Sequence, residues 1–221
     1  KYWEKGELKV KDRGLYAAVT HMMGSQVGVA HTYWEYYQYS GDKAYLKEYG
    51  YPIISGVAEF FRNYKNVRLD EDGHYHIYGT NCGENYYGSK DSMESLLAMH
   101  AIFRMAIRAS QELGIDEDKA AKWQDMLQKL APLPTTAHPD FHNDRFDKQK
   151  PVWVNAVGNY EISAHDPTDH FIASMFSNPA RFCDMCTVET RYADPEMYEI
   201  GNRWMEMKLE ENTLTSLELV S

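Results

Sequence analysis

Apolar positions recur along this chain at helical spacing. Over residues 25–39 (SQVGVAHTYWEYYQY), Val27, Ala30, Tyr33, Trp34 and Tyr37 fall on one broad face, while His31, Glu35 and Gln38 form a narrower polar stripe. Ser40-Gly41-Asp42 ends that helix and starts another. Pro52 suits the first turn of a third, where its missing N–H leaves no bond unmade. Ile54, Val57, Ala58, Phe61 and Tyr64 mark that helix's apolar stripe. Residues 65–90 lose the period; Asp72-Gly73 reads as a turn, with a short strand pair around His74–Ile77. From residue 92 to about 113 apolar residues return on nearly all sides, broken by a stripe at His100, Arg104 and Arg108, so this helix should have neighbours on several faces. Asp91-Ser92-Met93-Glu94 predicts its start, with Asp91 as N-cap and Glu94 reaching back. Gly114 ends it, and Asp116 caps a following helix that carries Ala120, Trp123, Leu127 and Leu130.

Beyond Leu130 the texture changes. Residues 131–151 hold Pro132, Pro134, Pro139 and Pro151 together with His138 and His142, which predicts a long ordered loop. Residues 151–163 (PVWVNAVGNYEIS) read as a hairpin turning at Gly158-Asn159. Helices are predicted over 167–177 and 183–192, and again after Asp194-Pro195. The expected fold class is therefore all-α, an array of antiparallel helical hairpins with a short β-hairpin. A solenoid would show a fixed repeat, and none is visible. Long, unequal loops favour an (α/α)6-type toroid, in which loops at one end build a site.

Composition narrows the classes. The chain has 221 residues, 43% hydrophobic and 25% charged, as a globular domain requires. Its 23 basic against 33 acidic residues give a net charge of −10, which argues against nucleic acid and anionic membranes as partners. No apolar run reaches the ~18 residues of a spanning helix. Cys82, Cys183 and Cys186 are too few and odd in number for a disulfide framework, and Cys183-Asp-Met-Cys186 lacks the second ligand pair of a zinc site. Nothing points to a cofactor or metal. Aromatic residues reach 14%, including 17 Tyr and 5 Trp, which serve a core and also suit stacking on sugars.

The candidate chemistry centres on GTNCGENYYGSK, residues 79–90. Glu84 lies among Asn81, Cys82, Asn85, Tyr86 and Tyr87, and Lys90 is the nearest cation. A carboxyl among aromatics and amides is placed to keep its proton near neutral pH, as a general acid must. A turn cap or a pair with Lys90 is the plainer reading of the same residue. Asn85 can orient Glu84, and Trp34, Tyr86 or Tyr87 can wall a sugar. His31 and Glu35 share a helical face that suits hydroxyl groups or an ordinary i,i+4 pair. His138, His165 and Asp166 lie in loops, where site residues gather, and Asp166 is the candidate base inside the chain.

Residues 24–64 carry a resemblance. His31, Trp34, Glu35 and Tyr37, then Ser40-Gly41-Asp42-Lys43, Tyr51-Pro52 and Ala58-Glu59-Phe60-Phe61, resemble a segment of glycoside hydrolase family 95 within the wider six-hairpin glycosidase superfamily. Asp72-Gly73 followed by Cys82-Gly83-Glu84-Asn85 is similar to that family's loop before a helix, with Cys82-Gly83 where the family has Ser-Pro. Lys129–Pro134 resembles its leucine-proline exit. The resemblance implies an (α/α)6 barrel and an inverting, exo-acting glycosidase with Glu84 as general acid. It implies a terminal α-L-fucosyl or α-L-galactosyl group on a glycan as substrate, and it favours a secreted or periplasmic enzyme. It places the family's general base beyond Ser221. A closed barrel of twelve helices needs more than about 300 residues. The chain is thus expected to be part of one catalytic domain: lead-in 1–24, hairpins 25–130, loop and hairpin 131–166, helices 167–221. The remainder of the barrel or a second chain would complete it. Glycosyl phosphorylases of family 65 share the barrel and are the alternative enzyme class, with His100, Arg104 and Arg108 as the nearest basic cluster for phosphate. A non-catalytic helical-repeat binding protein is the alternative outside enzymes.

Overall fold

The computed structural model describes residues 3–4, 7–8, 23–82, 86–139, 141, 147–156, 161–162, 195–196, 198–204 and 206–207. Helix α1 runs Ser25–Ser40 and stops where Gly41 takes φ 66°, returning its N–H to the Tyr37 carbonyl at 2.8 Å. Asp42 caps the next helix by accepting the Tyr45 N–H at 2.9 Å. Helix α2 (Lys43–Tyr45), a π-turn (Leu46–Gly50) and α3 (Tyr51–Asn63) then form one continuous helical run. Pro52 therefore does not open a separate helix, as the pattern suggested. Its ring excludes the regular bonding of the preceding turn, and the Tyr51 N–H reaches back to the Leu46 carbonyl instead. Gly50 is buried here because a Cβ would stand 3.1 Å from Leu46 Cδ1, on the side where Tyr33 of α1 crosses.

Helix α4 (Met93–Leu113) is the centre of the molecule, with 15 of its 21 residues buried. Its N-cap is Ser92, whose hydroxyl accepts the Ser95 N–H, and Asp91 is engaged elsewhere. Gly114 at φ 64° ends α4, and α5 (Glu117–Gln128) comes next. Asp116 stands at the N-cap position of α5, but its carboxylate binds Lys119 and the Tyr51 hydroxyl rather than a backbone N–H.

Side-chain pairs fix the direction of packing. Arg108 lies 5.5 Å over the Trp34 ring, and the Tyr37 hydroxyl donates to Glu112 at 2.9 Å, so α1 and α4 run parallel. The Tyr51 hydroxyl donates to Asp116 at 2.9 Å and Trp123 Nε1 donates to Glu59 at 2.8 Å, so α3 and α5 also run parallel. The short links α1–α2 and α4–α5 make each hairpin antiparallel. Two layers of parallel helices with opposite sense are the arrangement a helical-hairpin array demands. Trp123, Phe61, Phe103, Leu46, Ile54 and Met99 are fully buried between them.

Short strands fill the connection from α3 to α4. β3 (Val67–Leu69) pairs antiparallel with β4 (Tyr75–Ile77), in register Val67↔Ile77. β5 (Thr80–Cys82), β6 (Tyr86–Ser89) and β7 (Glu161–Ile162) form a second sheet in that order, and β1 (Trp3–Glu4) pairs with β2 (Glu7–Leu8). After α5, Leu130 passes beside Tyr75. The described arms of the hairpin expected at 151–163 pair outward, Trp153 with Thr135 and Glu161–Ile162 with β6. Its turn, and the helices expected at 167–177 and 183–192, lie outside the described residues. Residues 195–196, 198–204 and 206–207 are helical, as expected after Asp194, and Trp204 packs near Trp153.

Candidate active site

Among the described residues, every buried polar side chain except Ser110 belongs to residues 76–95 or 136–155. They meet at the start of α4. Thr80 and Ser92 share a hydroxyl bond at 3.1 Å, Ser92 donates to Ser95 at 2.8 Å, and Ser89 donates to the Thr80 carbonyl at 2.8 Å. Asn81 accepts the Gly88 N–H at 3.2 Å. The Met93 N–H donates to the Asn155 carbonyl, and the Cys82 thiol donates to Asn155 Oδ1 at 3.8 Å. Asn155 is delivered by a zipped pair of segments: Thr136 N–H to the Val152 carbonyl, and Val154 N–H to the Pro134 carbonyl. A buried network of this kind holds its members in one geometry, because each unpaired group would cost about 1–3 kcal/mol.

A second cluster closes the base of this region. His76 Nδ1 contacts Asp91 Oδ2, and His76 Nε2 lies 2.9 Å from Asp72 Oδ2. Asp91 has a left-handed backbone, φ 51°, a conformation costing a non-glycine residue of order 1 kcal/mol. Burial alone would depress the His76 pKa, but the bonds to Asp91 and Asp72 outweigh it and raise it. The His74 N–H and the His76 ring hold Asp72 down at about 2. Sequence reasoning missed this clasp, having assigned Asp91 to a cap; the neighbourhood of Asp72, His74 and His76 was its only trace.

The thiol of Cys82 is fully buried, and burial pushes it up to about 12 against the Glu94 backbone bond that would lower it. It is structural, not a nucleophile. Glu94, read from sequence as a capping side chain, is buried beside Cys82 in the first turn of α4. Among the described residues no His, Cys, Asp and Glu gather to hold a metal ion, and no helix is long and apolar enough to cross a membrane.

The anticipated site residues fall in three groups. Glu84, Asn85, His165 and Asp166 lie outside the described residues, as do Cys183 and Cys186. Tyr86 opens β6 opposite Cys82 and Ile162, so the strands that flank Glu84 in sequence, β5 and β6, belong to a sheet seated on the start of α4. His138 is half-buried, and its N–H donates to the Thr135 carbonyl at 3.0 Å, on the strip that delivers Asn155. His31 and Trp34 line a different feature, a crevice of about 40 Å³ between α1 and α4 with Gln38, Arg104 and Arg108. That is room for a few waters and too little to enclose a sugar ring. It is level with residues 101–108, roughly 12–22 Å along α4 from its start at 1.5 Å per residue. Glu35 is exposed, 4.0 Å from His31 across one helical turn.

Comparison with known proteins places this geometry in a family. The profile described as the Glycosyl hydrolase family 95 catalytic domain matches residues 5–143, which include α1 through α5 and the whole strand region between α3 and α4. A kojibiose hydrolase of Flavobacterium johnsoniae is 26% identical over 159 residues, covering 66% of this chain. The chain spans 22% of that relative's length. With the profile extending over more than half of its residues, from the lead-in through the clasp and the start of α4, the chain belongs to glycosyl hydrolase family 95.

Proposed function

We propose that this chain is catalytic sequence of an inverting, exo-acting glycoside hydrolase that removes a terminal fucose- or galactose-like sugar from a glycan, with Glu84 as general acid. The observation that supports the reading is the concentration, among the described residues, of buried polar groups at the start of α4 and in β5 and β6, the strands that flank Glu84 in sequence. An inverting enzyme sets acid and base ~6.5–9.5 Å apart so that a water attacks from the far face of the sugar. Glu84 donates its proton to the departing oxygen. Asp166, or a carboxylate in sequence beyond Ser221, takes the proton from water. Asn85, Tyr86, His138 and His165 contact the sugar at this end, and a more distant unit of the glycan rests against the mouth of the crevice at His31, Trp34 and Glu35 without entering it. Residues 1–221 act in this reading as part of a single catalytic domain.

Two facts favour hydrolysis over phosphorolysis: the relative's printed name is that of a hydrolase, and the cationic crevice lies far along α4 from the polar seat. Kojibiose therefore joins fucosides and galactosides as a substrate to assay. Glu84→Gln in the full protein is expected to lower kcat on the cleaved glycan by about 10²–10⁴-fold while sugar still binds. Turnover should ignore added phosphate, and proton NMR should record the inverted anomer first. Unchanged turnover in Glu84→Gln would leave a binding scaffold; sugar phosphate as product would leave a phosphorylase.

A further inference from the structure

The segment from Tyr78 to Lys90, which carries β5 and β6, is closed at its two feet by a clamp between Ile77 and Asp91. The Asp91 N–H donates to the Ile77 carbonyl at 2.8 Å, and the Ile77 N–H donates to Asp91 Oδ1 at 2.9 Å. The remaining carboxylate oxygen of Asp91 meets His76, whose other ring nitrogen meets Asp72. The next residue, Ser92, is the N-cap of α4. One imidazole thus braces Asp91, which closes both feet of this segment one residue before the N-cap of the central helix.

We propose that His76, held between Asp72 and Asp91, is a positioning residue for the acid carried on the 78–90 segment. The proposal rests on the reading of Glu84 as general acid and adds a residue that does not touch substrate. An imidazolium donates from both nitrogens and can join two carboxylates at once, whereas a neutral ring donates from one only. The groups facing His76 are Asp72 and Asp91, the Lys90 cation, and the rings of His74 and Tyr78. Because the His76 pKa is raised, the doubly bonded strut is complete at low pH and is lost as pH rises through the folded-state value. A displaced acid lowers turnover without loosening the sugar, since an ångström of misplacement costs up to about 10²-fold in rate.

The test uses two leaving groups. A sugar alcohol needs a proton as it departs; fluoride needs far less help. In the full protein, kcat is measured on a fucosyl-galactose disaccharide and on fucosyl fluoride, with kojibiose and glucosyl fluoride as the second pair. His76→Gln is expected to lower kcat on the disaccharide by about tenfold or more, with KM within about threefold and fluoride turnover within about twofold. Asp72→Asn, which leaves no buried charge unpaired, is expected to move the alkaline limb of disaccharide kcat to lower pH. An equal fall on both substrates in His76→Gln, or an unmoved alkaline limb in Asp72→Asn, overturns the positioning role. If Glu84→Gln separates the two substrates and His76→Gln does not, only the strut fails. If Glu84→Gln does not separate them, the reading of Glu84 fails and the strut fails with it.

Discussion

The two ends of α4 are built differently. At its start, buried serines, threonines, asparagines and one histidine–carboxylate clasp hold strands and helix together through hydrogen bonds. Along its far half, α4 is fixed by Ile102, Phe103, Met105 and Ala106 packed against neighbouring helices, and its one polar stripe opens to a narrow crevice with Arg104 and Arg108. Apolar packing orients a helix and tolerates substitution that keeps volume. A buried polar network tolerates little, because every member must keep its partner. Among the described residues nearly all buried polar groups lie at one end of one helix, where such a network holds the backbone in a single geometry.

That contrast can be broken from either side. The largest effect belongs to the frame. Trp123→Ala is expected to cost about 3–5 kcal/mol in urea unfolding, because a fully buried ring and its bond to Glu59 both go. Turnover of the molecules still folded should be unchanged. Asp91→Ala comes next, at about 3 kcal/mol, since it leaves His76 with Asp72 alone and removes the partner of the Ile77 N–H. Unlike Trp123→Ala, it should also lower kcat of the folded enzyme; equal kcat in the two variants would erase the distinction between frame and seat.

Smaller effects sharpen it. Arg62 is the main cause holding Glu59 at about 2, with Trp123 and Asn63 helping against burial. A depressed carboxyl contributes stability above its unfolded value, and that contribution is lost as pH falls through about 2, so acid unfolding should carry a Glu59 component between roughly pH 4.5 and 2. Glu59→Gln should flatten that limb, as followed by circular dichroism. Arg108→Gln, on the crevice, should change stability by less than about 0.5 kcal/mol and leave kcat alone.

The helices were legible because their signals are local. Gly41 and Gly114 sit in the left-handed conformation the sequence reserves for glycine at helix ends, and α4 is buried on the faces its apolar residues cover. The π-turn was not legible: Pro52 signalled a start, and only packing against α1 at Gly50 keeps the helix running through it. The clasp was hidden for a different reason. His76, Asp72 and Asp91 meet because hydrogen bonds close residue 77 on residue 91, and an aspartate before a serine-led helix looks like a cap until the fold gives its carboxylate another partner. Glu84 was singled out by its neighbours in sequence and by family likeness, and it lies outside the described residues, between strands β5 and β6 whose buried polar groups bond to the start of α4.

The central claim is that Glu84 is a shielded acid in the sugar site. Carbodiimide–amine labelling of carboxyl groups, read by peptide mass spectrometry with and without saturating glycan, tests it most directly. The account predicts that Glu84 labels at neutral pH, where exposed carboxylates react poorly, and that glycan protects it. Labelling of Glu84 only at acid pH, like a surface carboxylate, and with no protection by glycan, would contradict it.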